Sequence, residues 1–232
     1  MTVTDVNVVK SAIFERPDDA NKGTLGSLLC VCGSYGMAGA AVMSAKGALR
    51  TGIGLAKCAL PRSIYPIVAQ TILESVYYPL SENADGRISK VNVPFLVSES
   101  CKSSATLVGC GLGVCDDTLK IVFSLIENST TPLVLDADAL NCVAKQPEIL
   151  LRKKAPIIIT PHPGEMSRLT GLATPLVNAE RERVALDFAQ KYGVVTVLKG
   201  AGTVIASPNG KVLVNPTGNS GMATGGSGEV LA

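Results

Sequence analysis

Short apolar runs bounded by glycine alternate with longer helix-like segments along most of this sequence. The runs are SLLCVCG, IGLAKCAL, ATLVGCG, TPLVLDAD, APIIITPH and GVVTVLKG. Several of them are apolar on both faces, which is typical of strands covered by helices on two sides. Strands that alternate with helices favour βαβ units. The chain is therefore predicted to fold as an α/β protein with a mostly parallel central sheet.

Other segments predict the elements around that sheet. GMAGAAVMSAKGALRTG is predicted to be a helix rich in small residues. NAERERVALDFAQKYG is predicted to be a helix that carries Ala185, Phe188, Ala189 and Tyr192 on one stripe and ends at Gly193. TVIASPNGKVLVNP has a Pro-Asn-Gly centre between β-branched residues and predicts a hairpin. The polar stretch LSENADGRIS is predicted to be a surface loop.

Length and charge limit the classes of protein and partner. The 232 residues, of which 47% are hydrophobic and 17% charged, fit one domain with a substantial core, residues 1–232. A net charge of +2 creates no long-range field that would attract nucleic acid or an anionic membrane, so neither partner is expected. The first residues lack a basic n-region, and no stretch approaches the roughly 20 apolar residues of a membrane span. We expect a soluble, cytoplasmic protein.

The seven cysteines lie mostly inside apolar runs, which predicts buried, reduced thiols. Cys30 and Cys32 are two residues apart in a predicted strand and should share a face. The sequence contains no CxxC pair and no histidine near these cysteines, so no protein metal site is expected. Reduced thiols agree with a cytoplasmic location.

Glycines and unusual polar residues follow the predicted strands at one end. The segments at the strand ends are GSYGMAG, GCGLG, DADALN, TPHPGE and KGAGT. In open α/β sheets, ligands bind outside the carboxyl ends of the strands. The functional site is therefore predicted at this edge of the sheet.

Two glycine-rich motifs have the composition of phosphate sites. In GGSGEV, Gly225, Gly226 and Gly228 precede a helix start, where free backbone N–H groups can receive an anion; the alternative is a glycine-rich turn. In LKGAGT, Lys199 at a strand end is followed by two glycines and Thr203, which can hold the phosphates or ribose of a nucleotide. The alternative for this second motif is a surface lysine before a β-turn.

Three further motifs allow both a functional and a structural interpretation. Asp136 and Asp138 follow a strand, where carboxylates can serve magnesium through water, or Asp138 can cap the next helix. His162, the only histidine, lies between two prolines and beside Glu165, and is either a catalytic or a structural residue. GSYGMAGAA can contact a ligand or pack tightly between strand and helix.

Six ordered motifs together resemble one known family. They are NKGTLGSLLCVCGSYGMAGAA, GCGLG, LDADALN, TPHPGEM, LKGAGT and NPTGNSGMATGGSGEVLA. In this order they resemble the ADP- or ATP-dependent NAD(P)H-hydrate dehydratases of the ribokinase-like superfamily. The resemblance extends from Lys22 to the last residue. It implies a ribokinase-like three-layer α/β/α sandwich and a homotetramer.

The resemblance also implies a reaction and its cofactors. In this family of lyases, the terminal phosphoryl group of ADP or ATP, with Mg²⁺, activates the ring hydroxyl of the S-epimer of hydrated NADH or NADPH. Elimination then regenerates the reduced cofactor, which is a repair of a damaged metabolite. The sequence leaves open whether ADP or ATP is preferred.

Site residues follow from the match to the family's motifs. The implied nucleotide-binding residues are Lys199, Gly200, Ala201, Gly202, Thr203, Gly225, Gly226, Ser227 and Gly228. Ala40, Gly111, His162 and Glu229 would contact the hydrated dinucleotide. Glu229 would also be the general base that takes the hydroxyl proton. His162 is several motifs away from the phosphate loop, so its replacement is expected to leave nucleotide binding largely unchanged.

The sequence departs from the family pattern at three positions. The anion loop normally ends in GGSGD, but Glu229 occupies the last position here; Ser220 replaces a usual proline, and Asn21 a common histidine. Of these three positions, only that of Glu229 has an implied role in the reaction. Family members continue past this loop by several helical turns, so we expect the chain to be truncated at its C-terminus. Whether an epimerase domain precedes residue 1 is open.

Two alternative functions remain at this stage. One is a ribokinase-like kinase that phosphorylates a small alcohol such as a vitamin precursor and releases a stable phosphate ester. The other is a nucleotide-binding protein without catalysis, which the unusual Glu229 makes plausible.

Overall fold

A computed structural model describes residues 2–4, 10 and 16–232 of the chain. The strands are β1 (Thr2–Val3), β2 (Ser27–Val31), β3 (Leu55–Pro61), β4 (Val76–Leu80), β5 (Ala105–Val108), β6 (Leu133–Leu135), β7 (Ile157–Ile159), β8 (Val195–Leu198), β9 (Thr203–Ala206) and β10 (Val212–Asn215). They form one sheet in the order β1-β10-β9-β8-β7-β6-β5-β2-β3-β4. Strand β9 runs antiparallel to both of its neighbours, and the other neighbouring pairs are parallel. The predicted mostly parallel sheet is confirmed.

Helices cover the sheet and connect its strands. They are α1 (Ala38–Thr51), α2 (Tyr65–Thr71), α3 (Val93–Cys101), α4 (Asp116–Asn128), α5 (Asp138–Val143), α6 (Pro163–Thr170), α7 (Thr174–Ala179), α8 (Arg181–Tyr192) and α9 (Ser227–Leu231). Short 3₁₀ turns occupy Lys90–Asn92, Pro147–Arg152 and Ser220–Met222. Within the described residues, none of the helices has the length and apolar character needed to cross a membrane.

The core divides into two hydrophobic clusters on opposite faces of the sheet. Leu29 and Val31 belong to a large cluster with residues of α4 and α8, whereas Cys30 and Cys32 belong to a smaller one with residues of α1 and α2. Successive side chains of a strand point to opposite faces, which explains this division. Two helical layers therefore enclose the sheet. All seven cysteines are unpaired, and five of them are buried, as predicted.

Most of the predicted elements are present, with one clear omission. Each of the six apolar runs contains a strand, and TVIASPNGKVLVNP forms the β9–β10 hairpin. The stripe on α8 is buried, and Gly193 ends that helix in a left-handed conformation. The edge strand β4 was not predicted, because its Pro79 weakens the strand pattern. The loop LSENADGRIS is anchored by the wholly buried Ile88, so it is less exposed than its polarity suggests.

Candidate active site

Three strand ends converge on Lys199. The residue follows β8, and its Nζ donates to Oδ1 of Asp136 after β6 at 2.6 Å. Its backbone N–H donates to the carbonyl oxygen of Pro161, after β7, at 2.8 Å. The side chain of Asp136 is 3% exposed and that of Lys199 is 16% exposed, so this ion pair is largely removed from water. A short charge-assisted bond of this kind fixes the position of the ammonium group.

His162 and Glu165 form a reciprocal cap at the start of α6. The Nδ1 atom of His162 accepts N–H groups from Gly164 and Glu165 at 3.0 and 3.2 Å, while Oε2 of Glu165 accepts the N–H of His162 at 2.8 Å. Because Nδ1 is an acceptor, we assign the proton of the neutral ring to Nε2. The His162 side chain is 50% exposed. The ring therefore presents a hydrogen-bond donor to a ligand.

Glu165 lies between His162 and Lys199. Burial raises the pKa of Glu165, while its bond from the His162 N–H and the charge of Lys199 oppose that shift. The ammonium Nζ of Lys199 is 4.0 Å from Oε2 of Glu165, and Nε2 of His162 is 3.4 Å from Oε1. One lysine thus serves two buried carboxylates, those of Asp136 and Glu165. His162 is thus connected through Glu165 to Lys199 of the 199–203 turn, and the expectation that its replacement leaves nucleotide binding largely unchanged stays a prediction.

The last helix begins beside the same lysine. Gly226, with φ of 96°, precedes the first residue of α9, Ser227, and only glycine adopts this conformation readily. A Cβ atom at Gly228 would lie 3.7 Å from Nζ of Lys199. The free N–H groups of this first helical turn therefore lie close to the ammonium group, and both favour an anion.

Glu229 is in that first turn and is partly exposed. Among residues 16–232, no hydrogen bond or ion pair engages its carboxylate. Within these residues, its carboxylate therefore has no partner that a ligand would have to displace.

Gly111 and Ala40 lie against each other on another side of the site. A Cβ atom at Gly111, whose φ is 62°, would lie 2.6 Å from Cβ of Ala40. The hydroxyl of Ser34 donates to the carbonyl oxygen of Gly111 at 2.8 Å. Sγ of Cys110 lies 3.7 Å from Oδ2 of Asp136 and connects this segment to the lysine cluster. Ala40 and Gly111, both of which the family resemblance implied as substrate contacts, thus lie together next to Asp136.

A family comparison decides what this arrangement belongs to. The family model described as NAD(P)H-hydrate dehydratase matches residues 28–232. The chain belongs to the NAD(P)H-hydrate dehydratase family. A bifunctional NAD(P)H-hydrate repair enzyme from Thermofilum pendens is 41% identical over 216 residues, which cover 93% of this chain and 41% of that enzyme. The chain therefore spans about two fifths of the length of this curated relative.

Solved structures support the same assignment. The ADP/ATP-dependent NAD(P)H-hydrate dehydratase from Bacillus subtilis, co-crystallised with ATP/Mg²⁺, has a TM-score of 0.83 and 31% identity. That match covers 99% of this chain and 78% of the Bacillus subtilis chain. A ribokinase-like superfamily protein from Enterococcus faecalis has a TM-score of 0.83 at 22% identity, with 99% of this chain and 76% of that chain covered. The predicted ribokinase-like fold and the predicted family are both confirmed.

Asp138 has a different role in this dehydratase-family chain from the one that the sequence suggested. Its Oδ2 accepts the N–H of Gly113 at 2.8 Å, and its Oδ1 accepts from Asn141 at 3.3 Å. The N-cap position of α5 belongs to Ala137, and no side chain caps this helix. The capping interpretation of Asp138 is wrong, because its carboxylate ties two strand-end loops together. Ala137 itself has φ of 49°, a strained value for alanine, directly beside the site.

The carboxylates of the dehydratase-family site do not form a protein metal cage. Across the described ranges, no group of three or more His, Cys, Asp or Glu side chains is placed to hold a metal ion. Asp136 is paired with Lys199, and Glu165 accepts a backbone N–H. Mg²⁺ retains several waters and is commonly bound through one or two carboxylates and substrate phosphates. The site therefore fits an ion that arrives with a nucleotide better than one held by the protein alone.

A cavity adjoins the turn that follows Lys199. It has a volume of about 470 Å³ and is bounded by residues 178–183 together with Ala201 and Gly202. The hydroxyl of Thr203 donates to the carbonyl oxygen of Gly200 at 3.0 Å and closes the turn. Arg181, on the wall of this cavity, was not singled out by sequence reasoning. No local motif marks it, because it lies 18 residues before the lysine that it approaches.

Proposed function

We propose that this chain catalyses the nucleotide-dependent dehydration of the S-epimer of hydrated NADH or NADPH, within one domain of residues 1–232. The observation that carries this proposal is the cluster around Lys199. It joins the nucleotide turn, the start of α9 and the His162 loop at one sheet edge. The name of the Bacillus subtilis structure, an ADP/ATP-dependent NAD(P)H-hydrate dehydratase, supports the same activity.

The nucleotide is proposed to bind between the 199–203 turn and the start of α9. Lys199 supplies a positive charge, and the backbone of residues 225–228 supplies N–H groups at a helix start. Gly200 and Gly202 have φ of 148° and 68°, so their backbone can approach the ligand closely. Magnesium bound to the phosphates would neutralise part of their charge, as the ATP/Mg²⁺ in the Bacillus subtilis structure suggests.

The hydrated dinucleotide is proposed to bind against Ala40, Gly111 and His162. Ala40 and Gly111 are small residues packed against each other, and Nε2–H of His162 donates a hydrogen bond. Glu229 takes the proton of the ring hydroxyl while that oxygen attacks the terminal phosphorus, and AMP leaves from ADP, or ADP from ATP. Loss of inorganic phosphate and a ring proton then restores the double bond.

A coupled assay tests the proposed reaction. The hydrate of NADH is incubated with the chain and either ADP or ATP, and the absorbance of the reduced nicotinamide is followed together with phosphate release. We expect both signals to rise in equal amounts. A stable phosphate ester formed from a small alcohol would favour the alternative kinase, and nucleotide binding without any product would favour the non-catalytic alternative.

Replacement of Gly202 by valine is predicted to weaken nucleotide binding at least tenfold, about 1.4 kcal/mol. The positive φ is strained for a side chain, and the added methyl groups occupy space that the ligand needs. The matched control is Gly210→Val in the β9–β10 hairpin turn, where φ is 92° and which lies at the other end of β9 from the 199–203 turn. Titration of ADP into both variants measures the effect. Equal ADP affinities of the two variants would mean that the 199–203 turn is not part of the nucleotide site.

Replacement of His162 is predicted to raise the KM for the hydrate. Asparagine at this position can retain the helix cap that Nδ1 provides, whereas alanine cannot. We therefore expect His162→Asn to keep the stability of the wild type and lose hydrate affinity, and His162→Ala to lose both. Initial rates at saturating ADP, with thermal unfolding of each variant, measure the two effects. An unchanged KM in His162→Asn would assign the histidine a purely structural role.

We also propose a cytoplasmic location and a homotetramer. The seven unpaired cysteines support the first proposal, since disulfides are rare in reducing compartments. Sedimentation analysis of the purified protein tests the second.

A further inference from the structure

Arg181 holds the backbone of the nucleotide turn from behind. It is the first residue of α8, and its Nη2 donates to the carbonyl oxygens of Leu198 and Lys199 at 2.8 and 3.1 Å. The guanidinium group is partly buried, which lowers the pKa of Arg181. An arginine side chain still stays protonated at neutral pH, so the turn is held by two charge-assisted hydrogen bonds.

These bonds complete the restraint of Lys199. Its N–H donates to the carbonyl oxygen of Pro161, and its own carbonyl oxygen accepts a hydrogen bond from Nη2 of Arg181. Strand β8 ends at Leu198, so the turn beyond it relies on such bonds for its position. With both backbone groups fixed, the Lys199 side chain starts from a defined point and reaches Asp136 at 2.6 Å.

The guanidinium group also explains why glycine follows the lysine. A Cβ atom at Gly200 would lie 2.9 Å from Nη2 and 3.0 Å from Nη1 of Arg181. A larger residue at position 200 would push the guanidinium group away from the two carbonyl oxygens. Gly200 and Arg181 therefore form one packed unit behind the turn.

The same side chain includes a polar atom that stability alone does not explain. Nε of Arg181 is buried and has no hydrogen-bond partner within the described part of the chain. Burial of an unpaired N–H group lowers stability, so packing alone would favour an apolar side chain at position 181. What the arginine adds is the two hydrogen bonds from its Nη2 to the carbonyl oxygens of Leu198 and Lys199.

We propose that Arg181 is a positioning residue for nucleotide binding: it acts through the backbone of Leu198 and Lys199 and sets where the turn and the Lys199 ammonium meet the nucleotide. This inference rests on the proposed function, because it takes the 199–203 turn as the nucleotide site. Arg181 also lies on the wall of the 470 Å³ cavity next to Ala201 and Gly202, so it is beside the turn that it restrains.

A measurement without ligand tests the restraint itself. Hydrogen exchange of the Lys199 amide is compared in the wild type, Arg181→Met and Arg152→Met. Arg152 is the matched control, because it is 63% exposed, paired only with Glu127 in the described structure, and not part of the cavity wall. We expect at least tenfold faster exchange in Arg181→Met and wild-type exchange in Arg152→Met. Equal exchange in the two variants would overturn the inference.

A second measurement tests the consequence for binding. ADP affinity is expected to fall at least tenfold in Arg181→Met, while the KM for the hydrate stays within twofold of the wild type. Arg181→Lys, which keeps a charge but loses the planar fork, should fall between the two. A general loss of folding would lower the apparent kcat without changing either affinity, so a selective loss of ADP affinity separates positioning from stability.

The outcomes also separate the inference from the function on which it rests. If the wild type binds ADP and Arg181→Met binds it as tightly as Arg152→Met does, the inference fails and the proposed function stands. If the wild type itself does not bind ADP or ATP, the proposed function fails. Slow, wild-type exchange of the Lys199 amide in Arg181→Met overturns the inference in either case.

Discussion

A Lys199→Met variant is expected to lose nucleotide binding and about 3–5 kcal/mol of folding stability. The replacement leaves the carboxylate of Asp136, 3% exposed, without its ion pair, and removes the nearby positive charge from Glu165, 6% exposed. A buried charge without a partner is strongly unfavourable. Urea denaturation gives the free energy of unfolding, and ADP titration gives the affinity.

Two further variants separate stability from function. Lys102→Met removes an exposed lysine, 64% exposed and paired with Glu99, and should change stability by at most about 1 kcal/mol. In the double variant Lys199→Met/Asp136→Asn, stability should largely return because the unpaired carboxylate is gone, but ADP binding should not. If Lys199→Met proves as stable as Lys102→Met, the buried ion pair does not contribute the expected free energy of about 3–5 kcal/mol to folding.

Replacement of Glu229 is expected to have the largest effect on turnover. A general base contributes about 10²–10⁴-fold, so Glu229→Ala should lower kcat by at least about a hundredfold with little change in ADP affinity. Glutamate has almost the same pKa as aspartate in isolation. Its extra methylene moves the oxygens by about one bond length, and a misplacement of about 1 Å can cost about a hundredfold. Glu229→Asp should therefore increase kcat.

The comparison of variants at position 229 gives distinct results. Glu74→Ala is the control, because Glu74 is exposed just before β4 at the opposite edge of the sheet. Equal kcat for glutamate and aspartate would mean that the loop adapts to the longer acid. Undiminished kcat in Glu229→Ala, with ADP still bound, would contradict the assignment of a base to this position.

The sheet could be predicted from sequence because its signals are local. Each apolar run bounded by glycine is a strand, and strand ends in a parallel sheet meet at one edge. The prediction that the site lies at the carboxyl ends of the strands followed from that rule alone. Strand β4 was not predicted because VYYPL contains a proline. The strand is the last in the sheet order, a position where proline is tolerated.

The contacts of the site could not be predicted in the same way. Asp136 and Lys199 are 63 residues apart, and the pattern of each segment says nothing about the distance between their side chains. Asp136 therefore had a magnesium interpretation, although its nearest partner is an ammonium group. Arg181 had no interpretation at all, since an arginine at the start of an amphipathic helix is usually a solvated residue. Such pairs depend on how strands are ordered, which only the folded chain determines.

If the nucleotide and the hydrate bind as proposed, the position of Lys199 between two carboxylates links their binding energetically. An anion that attracts the ammonium group changes the electrostatic support of Glu165, whose oxygen holds the backbone N–H of His162. Thermodynamic reciprocity then requires that whatever the first ligand does to the affinity for the second, the second does equally to the first. On this proposal, binding of one ligand changes the affinity for the other through the Lys199 ammonium group, without any movement of a domain.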